Sequence, residues 1–274
     1  MEGWRIVRAS VIGTSHLERG VECQDYCDHK EIPTSDGTIL VAVVSDGAGS
    51  ASNGAEGAEL ACTQFVSEVE TFLMDGKTIE DLDSKFGQLW LSYVQQRIGD
   101  LAEAAQKSTR DYACTFLAAV LSDESAVFYQ IGDGAIVYSP AHRPDSYFWG
   151  VVPHEGMYAN TTDFITDNSA QEKLQHEFLS VPVKNLAMFT DGIQSLAIDY
   201  SGGIPGVPHG PFLRPMLAPL RAGADLGDIN DKLQIFLASP NINQRTDDDK
   251  TMILVSRDIA VAEEIGQSAT DGDL

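Results

Sequence analysis

The sequence predicts an α+β domain, because strand-like and helix-like segments come in separate groups along the chain. Residues 39 to 45 are nearly all apolar, as expected for a strand that is buried on both faces. Residues 55 to 73 instead repeat apolar side chains every three or four positions, which is the spacing of an amphipathic helix. From about residue 114 the pattern returns to short apolar runs, which indicate strands.

The first half of the chain is predicted to hold two strands followed by two helices. Residues 4 to 12 form the first predicted strand and residues 39 to 45 the second. A helix over 55 to 73 follows, and a second amphipathic helix is predicted from about Ile79 to Ala105. The residues of this second helix that we expect to face inward are Leu82, Phe86, Leu89, Tyr93 and Leu101.

The second half is predicted to be mostly strands, with one further helix. Residues 140 to 180 are rich in proline and polar residues, and we expect loops with short strands there, including a flap near the functional site. Residues 201 to 211, "SGGIPGVPHGP", are predicted to lack regular structure. The predicted strands are 114 to 121, 126 to 132, "AIVYS", 185 to 190 and 250 to 257, and the predicted helix is 225 to 238. We expect one domain over 1 to 257 and a short acidic tail over 258 to 274.

The formal net charge is −23, from 18 basic and 41 acidic residues. This balance argues against nucleic-acid binding and against an anionic membrane surface, because both need clustered lysine and arginine. It permits a basic partner, and it permits carboxylates gathered around metal cations. No apolar run reaches the ~20 residues of a membrane span, and the N-terminus lacks a signal-peptide segment, so we expect a cytoplasmic protein.

The four cysteines are Cys23, Cys27, Cys62 and Cys114. The first two could form half of a zinc site, but no second Cys or His pair has matching spacing. We therefore expect small, mostly buried thiols in a reducing cytosol.

Several aspartates stand where predicted strands begin or end. An isolated Asp-Gly pair is usually a turn, but the pattern of "VAVVSDGAGS" at Asp46 recurs at Asp133 and Asp191. Asp25 follows the first strand, and "TDDDK", with Asp248 and Asp249, precedes the last one. Converging carboxylates repel one another, and oxygen ligands suit magnesium, manganese or calcium. Two such cations could activate a water and clamp a phosphoryl group.

The ordered motifs "QD … SDGAGS … TFLAAVL … IGDGAIVY … MFTDGIQ … TDDDKTMILV" resemble the metal-dependent serine/threonine protein phosphatases of type 2C, the PPM family. The bacterial branch is the most similar, because "GTSH", "CQD" and a segment like "YANTTDFIT" also occur there. The resemblance covers roughly residues 4 to 256. It implies a four-layer αββα sandwich, in which two antiparallel sheets are flanked by helix pairs.

The resemblance also implies a binuclear Mn²⁺ or Mg²⁺ site whose bridging water hydrolyses phosphoserine and phosphothreonine in a protein substrate, opposing a serine/threonine kinase. Asp46 would bridge both metals, and the Gly47 carbonyl would bind one of them. Asp46 and Asp191 would act in catalysis through the bound metals and water. The other implied ligands are Asp191 and Asp248, Asp25 through its side chain or a water, and Asp133 for a weak third metal.

The chain departs from the family pattern at a few positions. Gln24 stands where eukaryotic members have glutamate, and Ala48 stands where they have a histidine proposed as the general acid. Ser195 replaces an aspartate of the third metal site, so we expect that site to be weak. The phosphate-binding arginine has no clear equivalent, and the nearest basic candidates are Arg19 and His16.

Two other functions remain open from the residues alone. A pseudophosphatase with the same fold would bind a phosphoprotein without hydrolysing it, and the three departures at Gln24, Ala48 and Ser195 motivate that reading. A calcium-stabilised structural protein would explain the strand-end aspartates but not the ordered motifs. A metal-dependent rate on p-nitrophenyl phosphate separates the active enzyme from the pseudophosphatase.

Overall fold

The computed structural model of the chain describes residues 3–153 and 162–257. The predicted acidic tail and residues 154–161 of the predicted flap lie outside the described residues.

Two five-stranded antiparallel sheets dominate the described residues, and a small two-stranded sheet accompanies them. The first sheet contains, in spatial order, β1 (Trp4–Val11), β12 (Lys250–Arg257), β9 (Val183–Phe189), β6 (Ala135–Pro140) and β7 (Phe148–Trp149). The second sheet contains β2 (Tyr26–Thr34), β3 (Gly37–Ser45), β4 (Phe116–Leu121), β5 (Ala126–Ile131) and β8 (Gln175–Leu179). The small sheet pairs β10 (Ile198–Asp199) with β11 (Val207–Pro208).

The helices pack outside the sheets or connect the strands. They are α1 (Thr14–Arg19), α2 (Gly54–Met74), α3 (Ser84–Ala105), α4 (Ala170–Lys173), α5 (Gln194–Ala197), α6 (Gly210–Arg221), α7 (Leu226–Leu237) and α8 (Pro240–Asn243). Short 3-10 turns occur at Ile79–Asp81, Thr109–Tyr112 and Asp191–Ile193. No helix in the two described ranges combines the length and the apolarity that crossing a bilayer requires.

Alternating side chains divide the interior into three apolar layers. On β3, Leu40 and Val44 face the other sheet, whereas Val41 and Val43 pack with the residues of α2 and α3. The outer face of the first sheet packs against α6 and α7. Three apolar layers between helices, sheet, sheet and helices make a four-layer αββα sandwich, so the predicted fold is confirmed.

The two long helices differ in how well the sequence predicted them. The α2 stripe is confirmed, with buried residues from Ala58 to Leu73. Helix α3 begins at Ser84 rather than at residue 79, because the Asp83 side chain caps it by accepting from two backbone N–H groups. The prediction that Leu89 and Tyr93 face inward was wrong, since they are 59% and 51% exposed. The buried stripe lies one position along the helix, at Trp90, Leu91, Val94 and Ile98.

Strand β2 and helix α6 are among the elements that the sequence analysis did not predict. Strand β2 carries several polar residues and Pro33, which the edge of a sheet tolerates because an edge strand leaves some N–H positions unpaired. Helix α6 contains Pro215 and Pro219, yet it forms around a buried leucine stripe. Residues 201–211, predicted to be irregular, include β11 and the first two residues of this helix. The thiols are free, and all but Cys23 are buried, as predicted.

Candidate metal centre

The second sheet brings two of the predicted aspartates to the same end of the sandwich. Asp46 directly follows β3, and Asp25 directly precedes β2. These strands are antiparallel, with Tyr26 opposite Ser45, so the end of one lies beside the start of the other. The pairing of these two consecutive strands therefore places Asp25 and Asp46 side by side.

The first sheet supplies two more aspartates at that end. Asp191 follows β9, and Asp248 precedes its antiparallel neighbour β12. The Thr190 N–H group donates to the Thr251 carbonyl at 3.1 Å, which continues the pairing up to the site. The Thr190 hydroxyl donates to Asp25 Oδ2 at 2.9 Å and thereby ties the two sheets together.

Asp46 occupies the middle of this cluster. Its carboxyl lies close enough to those of Asp25 and Asp191 to interact directly with both. The pKa of Asp46 is raised well above its usual value, first by burial and then by the charges of Asp25, Asp191 and Asp248. A central carboxyl that touches two others is the arrangement expected of a bridging ligand.

The flanking carboxyls are perturbed in the same direction. Burial, opposed by hydroxyl donors and reinforced by the charge of Asp249, raises the pKa of Asp25 to about 7. Burial and the charges of Asp133 and Asp248 raise the pKa of Asp191 to about 6. Burial and neighbouring like charges both disfavour the charged form of a carboxyl, so they raise the pKa of each group.

The hydrogen bonding of two oxygen atoms in the cluster bears on whether a metal ion fits there. Asp25 Oδ1 and Asp191 Oδ1 are buried and have no hydrogen-bond partner, which is costly for a carboxyl oxygen. Among the described residues, no group of three or more His, Cys, Asp or Glu side chains is already arranged so that it could hold a metal ion. An all-oxygen donor set with orphaned atoms suits a hard divalent cation such as Mg²⁺ or Mn²⁺.

Gly47 lies in a space that no other residue could occupy. A Cβ atom there would stand 2.5 Å from the Gly54 backbone carbon and 2.8 Å from the Gln24 carbonyl oxygen. The Gly47 N–H group donates to that Gln24 oxygen at 3.1 Å. Glycine therefore lets the Asp46 turn press against both α2 and the Asp25 segment.

Asp249 is a site residue to which the sequence assigned no role. It is 2% exposed, and Oδ1 accepts from the Gly13 N–H group at 2.6 Å. Oδ2 accepts from the Gln24 N–H group at 2.6 Å and lies 2.8 Å from His16 Nδ1. Its neighbour Asp248 differs, because Asp248 Oδ1 accepts only from the Asp249 N–H group. The structure thus distinguishes the environments of Asp248 and Asp249, which the sequence alone could not distinguish.

The two basic candidates for phosphate binding occupy different environments. His16 is 3% exposed and directs Nδ1 at Asp249, so it is not presented at the surface. Arg19 is exposed at the end of α1, and its Nε donates to the Ser15 carbonyl of the same helix at 3.2 Å.

Asp133 lies beside the cluster, in the turn between β5 and β6. Its Oδ2 accepts from the Thr162 hydroxyl at 2.7 Å, and burial raises its pKa. Ser195 is exposed on α5, next to Gln194, whose side chain donates to the Asp133 carbonyl. Ala48 packs into a small apolar cluster, so this position carries no acid or base.

Two comparisons with known proteins give matches over most of the chain. The family model described as protein phosphatase 2C matches residues 12–238. The chain is 37% identical over 254 residues to serine/threonine-protein phosphatase 3 of Escherichia coli (strain K12), an alignment that covers 92% of this chain and 97% of that protein.

Solved structures share the fold at much lower identity. The serine/threonine phosphatase of S. agalactiae matches with a TM-score of 0.62 and 17% identity, over 93% of this chain and all of that one. RsbX, crystallised in complex with magnesium, matches with a TM-score of 0.52 and 13% identity, over 93% of this chain and 96% of that one.

Proposed function

This chain belongs to the protein phosphatase 2C family and is a protein phosphatase of the serine/threonine type, and from that premise we propose that its active centre is the cluster of Asp25, Asp46, Asp191 and Asp248. The observation that carries this assignment is the position of Asp46, whose carboxyl lies among those of Asp25 from its own sheet and of Asp191 and Asp248 from the other. Its substrates are phosphoproteins, and we propose that it opposes a serine/threonine kinase.

Two divalent cations, Mn²⁺ or Mg²⁺, fit the donor set of this cluster. Asp46 would bridge them, the Gly47 carbonyl and Asp25 would complete one side, and Asp191 and Asp248 would hold the other. When bound, such cations lower the pKa of a water molecule and neutralise phosphoryl oxygens. Asp133 is a candidate ligand for a weaker third cation, because it lies near Asp191 and Asp248.

The residues of the chain itself set the geometry of the reaction. Thr190 fixes the orientation of Asp25 through a hydrogen bond across the two sheets. Strand pairing between β9 and β12 brings Asp191 and Asp248 to the same end of the first sheet. Because all four aspartates lie within two residues of a paired strand, strand pairing restricts their positions, so little reorganisation is needed when substrate binds.

Substrate contacts are proposed from exposure and charge. Arg19 is exposed on α1, whose backbone is bound to the Asp247–Asp249 loop, and we propose that it contacts the substrate phosphate. Protonation of the leaving oxygen falls to water, because Ala48 offers no proton. The free thiols are typical of a reducing compartment, and we propose a cytoplasmic location.

Asp191→Asn tests the assignment directly. The variant removes one ligand charge while preserving size, so hydrolysis of a phosphothreonine peptide in Mn²⁺ is expected to fall by about two orders of magnitude or more. Asp199→Asn is the matched control, since that half-buried aspartate lies in a nearby turn, where it accepts a hydrogen bond from the Ser201 N–H group. Activity of Asp191→Asn equal to that of Asp199→Asn would remove Asp191 from the site.

A further inference from the structure

A buried contact joins the N-terminal segment to the loop that carries Asp248. Asp249 receives three donors from that segment: the backbone N–H groups of Gly13 and Gln24, and Nδ1 of His16. Both side chains of the Asp249–His16 pair are almost completely buried. Such a pair is retained only if its partners are well satisfied, because burial of polar groups is costly.

Backbone contacts press the same two segments together. The Ser15 N–H group donates to the Asp247 carbonyl at 2.9 Å. At Gly13 a Cβ atom would stand 2.4 Å from the Asp247 carbonyl oxygen, so no larger residue fits at this contact. Gly13 is therefore in direct contact with the backbone of this loop, in addition to the hydrogen bonds that the segment makes.

We propose that the Asp249–His16 pair is a positioning clamp that sets Asp25 against Asp248 for metal binding. Asp249 is bonded in sequence to Asp248, and its Oδ2 holds the backbone of Gln24, which is bonded to Asp25. Fixing these two backbones fixes two of the proposed ligands, one from each sheet. The proposal rests on the proposed function, because it presupposes that these carboxylates bind cations.

Asp249 acts by position and not as a ligand. Both of its oxygens already accept N–H groups, so it has little capacity left for a cation. Groups that hold metal ligands in place through hydrogen bonds commonly change metal affinity by about 10- to 100-fold when they are removed. His16 supplies a side-chain donor that can be replaced without touching any ligand.

Calorimetric titration of chelator-treated full-length protein with Mn²⁺ tests the clamp. His16→Leu removes the donor, and we expect the dissociation constant for Mn²⁺ to rise at least about 10-fold. His16→Asn keeps an N–H donor near the Nδ1 position, and we expect it to stay within about 3-fold of wild type. His176→Leu is the matched control, because that partly buried histidine makes one hydrogen bond, to the Leu82 carbonyl, on another part of the second sheet.

The outcomes separate the clamp from the proposed function. Wild-type Mn²⁺ affinity in a folded His16→Leu variant, even with a lowered melting temperature, would show a merely structural role and overturn the clamp alone. Wild-type protein that binds no Mn²⁺ would overturn both proposals. If His16→Leu does not fold, Asp249→Asn makes the same test, since it is nearly isosteric and weakens the same contacts. The clamp predicts at least about 10-fold weaker Mn²⁺ binding for that variant as well.

Discussion

The two ends of strand β3 carry the same dipeptide, Asp-Gly, in opposite roles. At the start of the strand, Asp36 is exposed and its N–H group donates to the Thr34 hydroxyl at 3.3 Å. Gly37 has a φ of +125°, which only glycine adopts readily, and it closes the hairpin with β2. This Asp-Gly pair therefore serves as a hairpin turn.

At the end of the strand, Asp46 and Gly47 are packed into the molecule. The Asp46 carbonyl accepts from the Thr115 N–H group at 2.8 Å, and its side chain meets the carboxyls of Asp25 and Asp191. Gly47 is required by the close approach of Gly54 and not by a positive φ. An Asp-Gly pair thus becomes a candidate site only where the fold gathers further carboxyls around it.

The largest expected effect on activity comes from replacing Asp46, and replacing Asp36 provides the comparison. Asp46→Asn should lower kcat/KM for a phosphopeptide by about 10³-fold or more, because a lost bridging ligand removes several kcal/mol and about 1.4 kcal/mol is tenfold. Asp36→Asn should change it by less than about 2-fold, as exposed substitutions usually do. Equal losses for the two variants would erase the distinction between the two ends of β3.

Metal binding should raise the melting temperature of the protein only if the carboxyls at the Asp46 end of β3 are intact. Mn²⁺ at 100 times its dissociation constant adds about 2.7 kcal/mol, and about 1 kcal/mol raises the melting temperature by roughly 2–4 °C in a protein near this size. NaCl at equal ionic strength screens charges but cannot coordinate them. Differential scanning fluorimetry should show the increment in wild type and in Asp36→Asn, and should show most of it lost in Asp46→Ala. Identical curves in Mn²⁺ and NaCl would mean that the carboxyls form no metal site.

Without metal, the stability of the carboxyl end should depend on pH. The pKa of Asp25 is about 7 in the folded protein against an ordinary value of 3.8, so the folded state holds the proton more tightly than the unfolded state. Its contribution to stability is complete at acidic pH and is lost as the pH rises from about 4 to about 7. In chelator, the melting temperature of wild type should fall by several degrees relative to Asp25→Asn over this window. Parallel melting curves for the two proteins would contradict the raised pKa.

The smallest expected effect concerns the third cation. Ser195 offers no carboxylate beside Asp133, so wild type should bind two cations tightly and a third only at millimolar concentration. Ser195→Asp should tighten the third site by about tenfold and leave the first two unchanged, as judged by equilibrium dialysis. Three tight sites in wild type would show that Asp133 needs no such partner.

Much of this arrangement could be predicted from local pattern. The period of apolar residues located α2 within one residue at each end, and the apolar run of residues 39 to 45 located β3. The family resemblance of the ordered motifs then implied the sandwich, and antiparallel pairing brings the strand-end aspartates of each sheet together.

The rest depends on tertiary contacts that no local pattern records. Leu89 and Trp90 are adjacent apolar residues, and only packing against Phe65 and Phe116 decides that Trp90 is the buried one. Asp248 and Asp249 are chemically identical neighbours, and Asp249 is withdrawn from the cluster only because Gly13, His16 and Gln24 surround it. The role of His16 could not be predicted for the same reason, since its partner lies at the other end of the chain.

Anomalous diffraction from crystals grown with Mn²⁺ tests the central claim most directly, because it locates each cation. We predict two strong peaks, both within coordination distance of Asp46 oxygens, with Asp25 on one side and Asp191 and Asp248 on the other. Peaks elsewhere, or no peak among these four carboxylates in crystals of protein that is active in Mn²⁺, would contradict the assignment of this cluster as the metal centre.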